Sequence, residues 1–219
     1  MIKAVVFDLD GTLMDTLPDI AASLNRALAA CGLPTHSLRT CESFVGGGIR
    51  EAVRKAAPPG TDEAVINQIL DVYLRDYPLH CMDTTRPYDG VPELLHGLSS
   101  RGLLLGVLSN KTEAPTQKII QTLLPDIPFR CVFGRVDTVP LKPDPAAAGR
   151  VLEALRVTAA EIVYAGDSGT DVEFAHRAGM LAAATPWGYR SREELAGKSP
   201  EFLPAGPAEL MKLLAAATG

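Results

Sequence analysis

At 219 residues the chain has room for one ordinary domain and a smaller one. Its 47% hydrophobic and 21% charged residues describe a soluble globular protein, and a net charge of −5 argues against a nucleic-acid binder. No apolar run approaches the ~18 residues of a membrane span, no signal-peptide pattern opens the chain, and the widely spaced Cys31, Cys41, Cys81 and Cys131 fit reduced thiols in a cytoplasmic protein.

The first element is a short apolar run, Ala4-Val5-Val6-Phe7, that leads straight into Asp8, Asp10 and Gly11. An apolar run bounded by a turn signal predicts a strand buried on both faces, as in a parallel sheet. Ligands of open α/β sheets bind outside the carboxyl ends of the strands, which is where the two aspartates fall. Alternation along a strand projects positions i and i+2 to one side, so Asp8 and Asp10 are expected to face one site. One carboxylate can attack phosphorus while a Mg²⁺ ion screens the charges; the other, held protonated by its neighbour, can serve as general acid. Taken alone, D-x-D-G equally describes a surface turn.

A helix is predicted from the capping pattern Thr16, Pro18, Asp19, with Ile20, Leu24, Leu28 and Cys31 on one face and Gly32 and Pro34 as its end. Leu33 to Thr84 contains no convincing strand. Gly46-Gly47-Gly48 precedes a helix at Ile49–Ala57, and a second starts with Thr61 as N-cap and carries Val65, Ile69, Val72 and Tyr73 at helical spacing. So long a helical stretch between two strands is far beyond a usual βα connection and predicts an inserted all-helical cap at residues 16–84.

From Arg86 the pattern alternates. A helix from Pro92 stops at Gly102, and Leu103–Leu108 is a second buried strand ending in Ser109-Asn110-Lys111. A helix over 113–124, a strand at Phe129–Phe133, a helix over 145–155 and a strand at Ile162–Ala165 follow. Gly166-Asp167-Ser168-Gly169-Thr170-Asp171 leads into a helix from Val172, then a strand at Leu181–Thr185, a short edge strand near Glu201–Leu203 and a closing helix over 207–217. Strands alternating with helices predict an α/β fold, a doubly wound (Rossmann-like) parallel sheet formed by residues 1–15 and 85–219.

Three further stretches sit at strand ends. Ser109, Asn110 and Lys111 offer a hydroxyl, an amide and backbone N–H groups suited to phosphate oxygens, or simply a turn before a helix. Lys142, stiffened by Pro143, suits a carboxylate and a phosphate together, although most lysines are merely exposed. Asp167 suits a direct Mg²⁺ ligand; Asp171 is a ligand, its support, or a helix N-terminal charge.

Together these motifs, in this order, resemble the haloacid dehalogenase (HAD) superfamily phosphohydrolases along essentially the whole chain. The first stretch is similar to D-x-D-G-T-x-x-D, and L-S-N-K with V-G-G-G-I-R resembles the phosphoglycolate phosphatase branch. The stretch G-R-V-D-T-V-P before Lys142 departs from the expected polar or small residues. The resemblance implies Asp8 as nucleophile, Asp10 as acid and then base, and Ser109 and Lys142 as phosphate- and charge-holding groups. It implies Asp8, the carbonyl of Asp10, and Asp167, with Asp171, around Mg²⁺. Gly11, Thr12, Asn110, Lys111 and the cap residue Arg50 are expected at the substrate. The expected activity is Mg²⁺-dependent hydrolysis of a small phosphomonoester, with 2-phosphoglycolate the best guess. A sugar-phosphate phosphomutase, a pyrophosphatase and a non-catalytic phosphometabolite-binding module are the alternatives. The expected partner is a small phosphorylated metabolite, with no nucleic acid and no membrane; the sequence is silent on oligomeric state.

Overall fold

The structure, a computed structural model, describes residues 1–218. In chain order it comprises β1 (Ala4–Phe7), β2 (Met14–Asp15), α1 (Leu17–Ala30), α2 (Leu38–Glu42), α3 (Ile49–Ala56), α4 (Glu63–His80) and β3 (Arg86–Pro87). There follow α5 (Val91–Ser100), β4 (Leu104–Thr112), α6 (Glu113–Leu123), β5 (Phe129–Arg135), α7 (Gly149–Leu155), β6 (Ile162–Gly166), α8 (Gly169–Arg177), β7 (Leu181–Ala184), α9 (Arg192–Ala196) and α10 (Pro207–Thr218). The chain forms two compact units, one of Asp15–Arg86 and one of Met1–Met14 with the residues from Pro87 onward.

The larger unit is built on a parallel five-stranded sheet in the order β5-β4-β1-β6-β7. All four residues of β1 are buried, as a central strand covered on both faces requires. Ala4 and Val6 alternate to one face and pack in a core with Val151, Leu155, Tyr164, Phe174 and Leu195, from α7, β6, α8 and α9. Each buried Val, Leu or Phe of this core contributes about 1.5–3 kcal/mol of transfer free energy. The chain leaves β1 toward β4 on one side and leaves β6 toward β7 on the other. The carboxyl ends of β1 and β6 therefore flank the point where the winding reverses, the place where such sheets bind ligands.

β4, β5 and β6 run further than the sequence predicts, and β7 stops one residue short of Thr185. β4 extends to Thr112, with its pairing to β5 irregular between Leu108 and Thr112, so Ser109, Asn110 and Lys111 lie within the strand's end. The expected edge strand near Glu201 is a single bridge, Phe202 to Ala183. The helix expected from Val172 starts at Gly169. Ser168 caps it, and Asp171 returns the bond to the Ser168 amide in a capping box.

The smaller unit holds α1 to α4 and contains no strand between β2 and β3. The N-cap of α4 is Asp62, not Thr61, whose hydroxyl donates to the carbonyl of Pro58 at 2.6 Å. The buried stripe of α4 runs through Ile66, Ile69, Tyr73 and Tyr77, with Val65 and Val72 at its margin. Asp19, expected to complete a cap on α1, is buried and accepts from the amides and hydroxyls of both Thr84 and Thr85. That tie fastens the start of α1 to the chain leaving the unit, and it holds the Asp19 carboxyl below its usual range despite burial.

Candidate active site

Asp8 follows β1 directly, and its amide continues the ladder by donating to Ala165 at 2.9 Å. The chain then turns at Gly11, whose φ of 77° is left-handed. A Cβ there would lie 2.2 Å from Asp167 Oδ2, so glycine lets the turn approach the carboxylate that follows β6. Asp167 and Asp171 reach the same place from β6 and the first turn of α8. One carboxylate oxygen from each of Asp8, Asp167 and Asp171 lies within 4.8 Å of the others, and all three residues are buried.

Lys142 closes the cluster. Its Nζ lies 3.1 Å from Asp8 Oδ1 and 2.7 Å from Asp171 Oδ1, and donates to the phenol of Tyr164 at 2.6 Å. Burial opposes the charge of this ammonium, but Asp171 and Asp8 outweigh it and hold its pKa well above the ordinary value. Burial likewise pushes Asp8 up to about 6, against the pull of Lys142 and of the hydrogen bond from the Ser109 hydroxyl. Asp167 is raised well above a normal carboxyl, chiefly by burial and next by Asp171. Buried carboxylates crowded beyond what one lysine neutralises are what a cation site needs. Asp8 Oδ1, besides, is buried with no hydrogen-bond donor aligned to it. The donors are all hard oxygens, which suit a divalent cation of the Mg²⁺ or Mn²⁺ kind.

The geometry separates the roles of the two downstream aspartates. Asp171 spends Oδ1 on Lys142 and Oδ2 on the amide and hydroxyl of Ser168. Asp167 Oδ2 accepts from the backbone N–H of Tyr189 at 2.8 Å. Asp171 is thus held by its neighbours on both oxygens, whereas Asp167 stands with Asp8 at the strand ends.

Of the residues expected at the substrate, Lys111 is buried and its Nζ donates to Asp10 Oδ1 at 2.7 Å. Asn110 donates to the carbonyl of Lys142 at 3.1 Å and accepts from the same residue's amide at 2.9 Å. Thr12 is fully buried; its carbonyl accepts from Trp187 Nε1 at 2.9 Å. Arg50 lies in the helical unit, in the first turn of α3, and donates to Glu63 at 3.1 Å and Asn67 at 2.6 Å.

Sequence reasoning missed Tyr164 and the segment Trp187-Gly188-Tyr189. Tyr164 reads as one more core aromatic of a buried strand. The segment after β7 holds the turn after β1 and the Asp167 carboxylate through indole and backbone groups, which leave no residue-type signature, although its place at a strand's carboxyl end is a pointer.

A parallel sheet that brings three buried aspartates and a buried lysine to its switch point defines an α/β enzyme with a cation-competent carboxylate site. Residues 5–185 match the family model for haloacid dehalogenase-like hydrolases, and the chain belongs to that family. It is 35% identical to the phosphoglycolate phosphatase of Pseudomonas syringae pv. tomato over 92% of this chain and 75% of that one. It is 34% identical to the N-acetylmuramic acid 6-phosphate phosphatase of Pseudomonas aeruginosa, over 88% of this chain and 85% of that one. The solved structure of a predicted phosphoglycolate phosphatase from Haemophilus somnus 129PT superposes with a TM-score of 0.89 at 27% identity, covering 97% of this chain and 98% of that one. Among the described residues no helix is long and apolar enough to cross a membrane.

Proposed function

We propose that this chain is a Mg²⁺-dependent phosphatase acting on a small phosphomonoester that also carries a carboxylate, with 2-phosphoglycolate the first candidate. The observation that carries the reading is the placement of Asp8: buried, against the Lys142 ammonium, and with a carboxylate oxygen within 4.8 Å of one of Asp167. Both relatives above are phosphatases named for carboxylated phosphate esters.

In this reading an oxygen of Asp8 attacks phosphorus, an O–P bond forms to Asp8, and the bond from phosphorus to the substrate's alcohol oxygen breaks. Asp10 delivers the proton that the departing alcohol needs. Asp10 then takes a proton from water as the water oxygen attacks phosphorus, the Asp8–phosphorus bond breaks, and phosphate leaves. Lys142 offsets the charge of Asp8 and of the phosphoryl oxygens throughout. Ser109 donates to Asp8, and Lys111 fixes Asp10 by one oxygen. Asn110 serves by gripping the backbone of Lys142. Asp8, Asp167 and the Asp10 carbonyl would hold Mg²⁺, with Asp171 behind them. Bound there, the ion supplies screening between an anionic nucleophile and an anionic ester.

The test is phosphate release with Mg²⁺ from 2-phosphoglycolate, N-acetylmuramic acid 6-phosphate, a hexose phosphate and an uncharged aryl phosphate. The reading expects chelator-sensitive turnover and the highest kcat/KM on a carboxylated ester. Isomerisation of the hexose phosphate without phosphate release, or no turnover of any ester, would overturn it.

A further inference from the structure

We propose that Tyr164 is a positioning residue that aims Lys142 at the nucleophile; the inference rests on the role given to Lys142 above. Tyr164 lies in β6 beside β1, in register with Val6, and is 1% exposed. Its ring meets Phe174 edge-on at 4.9 Å, a contact that a phenylalanine would make equally well. The hydroxyl therefore needs its own explanation. It donates its one hydrogen to the carbonyl of Leu108 at 2.6 Å, so toward Lys142 Nζ, also at 2.6 Å, it presents only an acceptor.

A lysine ammonium has three hydrogens on a flexible four-carbon stem. Tyr164 takes one and Asp171 takes the second at 2.7 Å. With two directions fixed, the tetrahedral geometry of the nitrogen confines the third, and Asp8 Oδ1 lies 3.1 Å from Nζ as an ion-pair contact without an aligned hydrogen bond. Leu108 lies in the strand that carries Ser109, so the chain Leu108–Tyr164–Lys142–Asp8 references the ammonium to the sheet itself. Without the phenol the ammonium keeps one strong partner, Asp171, and can swing about it. Loss of positioning of this kind lowers the rate of the chemical step and leaves substrate binding largely intact.

Tyr164→Phe removes one oxygen and keeps the ring. Its expected effect is a kcat reduced about 10- to 100-fold with KM changed less than about threefold. Lys142→Met should cost more. In the double variant the two losses should not multiply: adding Tyr164→Phe to Lys142→Met should change kcat less than about threefold. Full multiplication, or a Tyr164→Phe loss that appears in KM alone, would overturn the proposal and leave Tyr164 a core residue. Normal kcat in Lys142→Met would instead sink the reading of Lys142 on which it rests. Should Tyr164→Phe not fold, 3-fluorotyrosine at this position keeps the ring and both bonds but makes the oxygen a poorer acceptor. A kcat lowered several-fold is then expected, and an unchanged kcat would overturn the proposal.

Discussion

Asn110 and Lys142 are joined by two hydrogen bonds, the Asn110 side-chain amide donating to the Lys142 carbonyl at 3.1 Å and accepting from the Lys142 N–H at 2.9 Å. An amide bonding a backbone in both directions fixes the position and the orientation of the residue it grips. Asn110→Ala should lower kcat by roughly 10- to 100-fold, because it unpairs two buried backbone groups next to the charge-neutralising lysine. It should also lower stability by about 1–3 kcal/mol. Steady-state kinetics and denaturant melts check this; a large rise in KM with normal kcat would make Asn110 a substrate contact instead.

Metal and proton should compete. Burial raises Asp8 to about 6 from an ordinary 3.8, and raises Asp167 too. At these two groups the metal-free folded chain holds more protons than the unfolded chain, so their contribution to stability falls as pH rises from about 4 through about 6. A cation needs both groups ionised, so its stabilising effect runs the other way. The rise in Tm on adding Mg²⁺ should be small near pH 5 and large near pH 7.5. An equal or larger rise at the acid end would contradict the assignment of Asp8 and Asp167 as ligands.

Gly188 is needed for its missing side chain. A Cβ there would lie 2.0 Å from the carbonyl oxygen of Gly11 and 2.4 Å from the Cβ of Asp167. Gly188→Ala must push the segment outward and loosen the Tyr189 N–H bond that holds Asp167 at 2.8 Å. A Mg²⁺ affinity weakened about 10- to 100-fold is expected, the usual cost of disturbing groups behind a metal ligand. Calorimetric titration of Mg²⁺, with circular dichroism to confirm the fold, measures it; unchanged affinity would remove the segment from the metal site.

Arg50 already binds a carboxylate, that of Glu63, but both side chains are substantially exposed and such a pair contributes little. The guanidinium therefore gives up Glu63 at small cost. Arg50→Ala should reduce kcat/KM on 2-phosphoglycolate at least about tenfold more than on an uncharged aryl phosphate. Equal losses on both would remove Arg50 from substrate selection.

The sheet and its carboxylates were legible because their signals are local. Four apolar residues running into Asp8 and Asp10, and Gly166-Asp167 after another apolar run, announce a strand end within a few positions. The short helices α2 and α9 were not legible: five residues each are too few for a helical period to show. The partners of the site residues escaped for a different reason. Lys111 and Asp10 lie 101 positions apart, and the Asp10 turn shows no preference for an ammonium. Tyr164 hid because a strand's aromatic is expected to pack, and nothing in its neighbours marks a hydroxyl that has work to do. Asp171 was left open between ligand, support and helix charge. The structure shows it as the helix-capping charge and the partner of Lys142 at once.

Formation of a covalent bond between Asp8 and phosphorus is what Asp8→Asn probes. The amide has nearly the same shape and is a poor nucleophile, so the fold should persist by circular dichroism. Turnover of 2-phosphoglycolate, or of whichever ester the wild type hydrolyses best, should fall by about 10⁴- to 10⁶-fold in kcat. A kcat near that of the wild type, in a sample free of wild-type protein, would contradict the covalent mechanism.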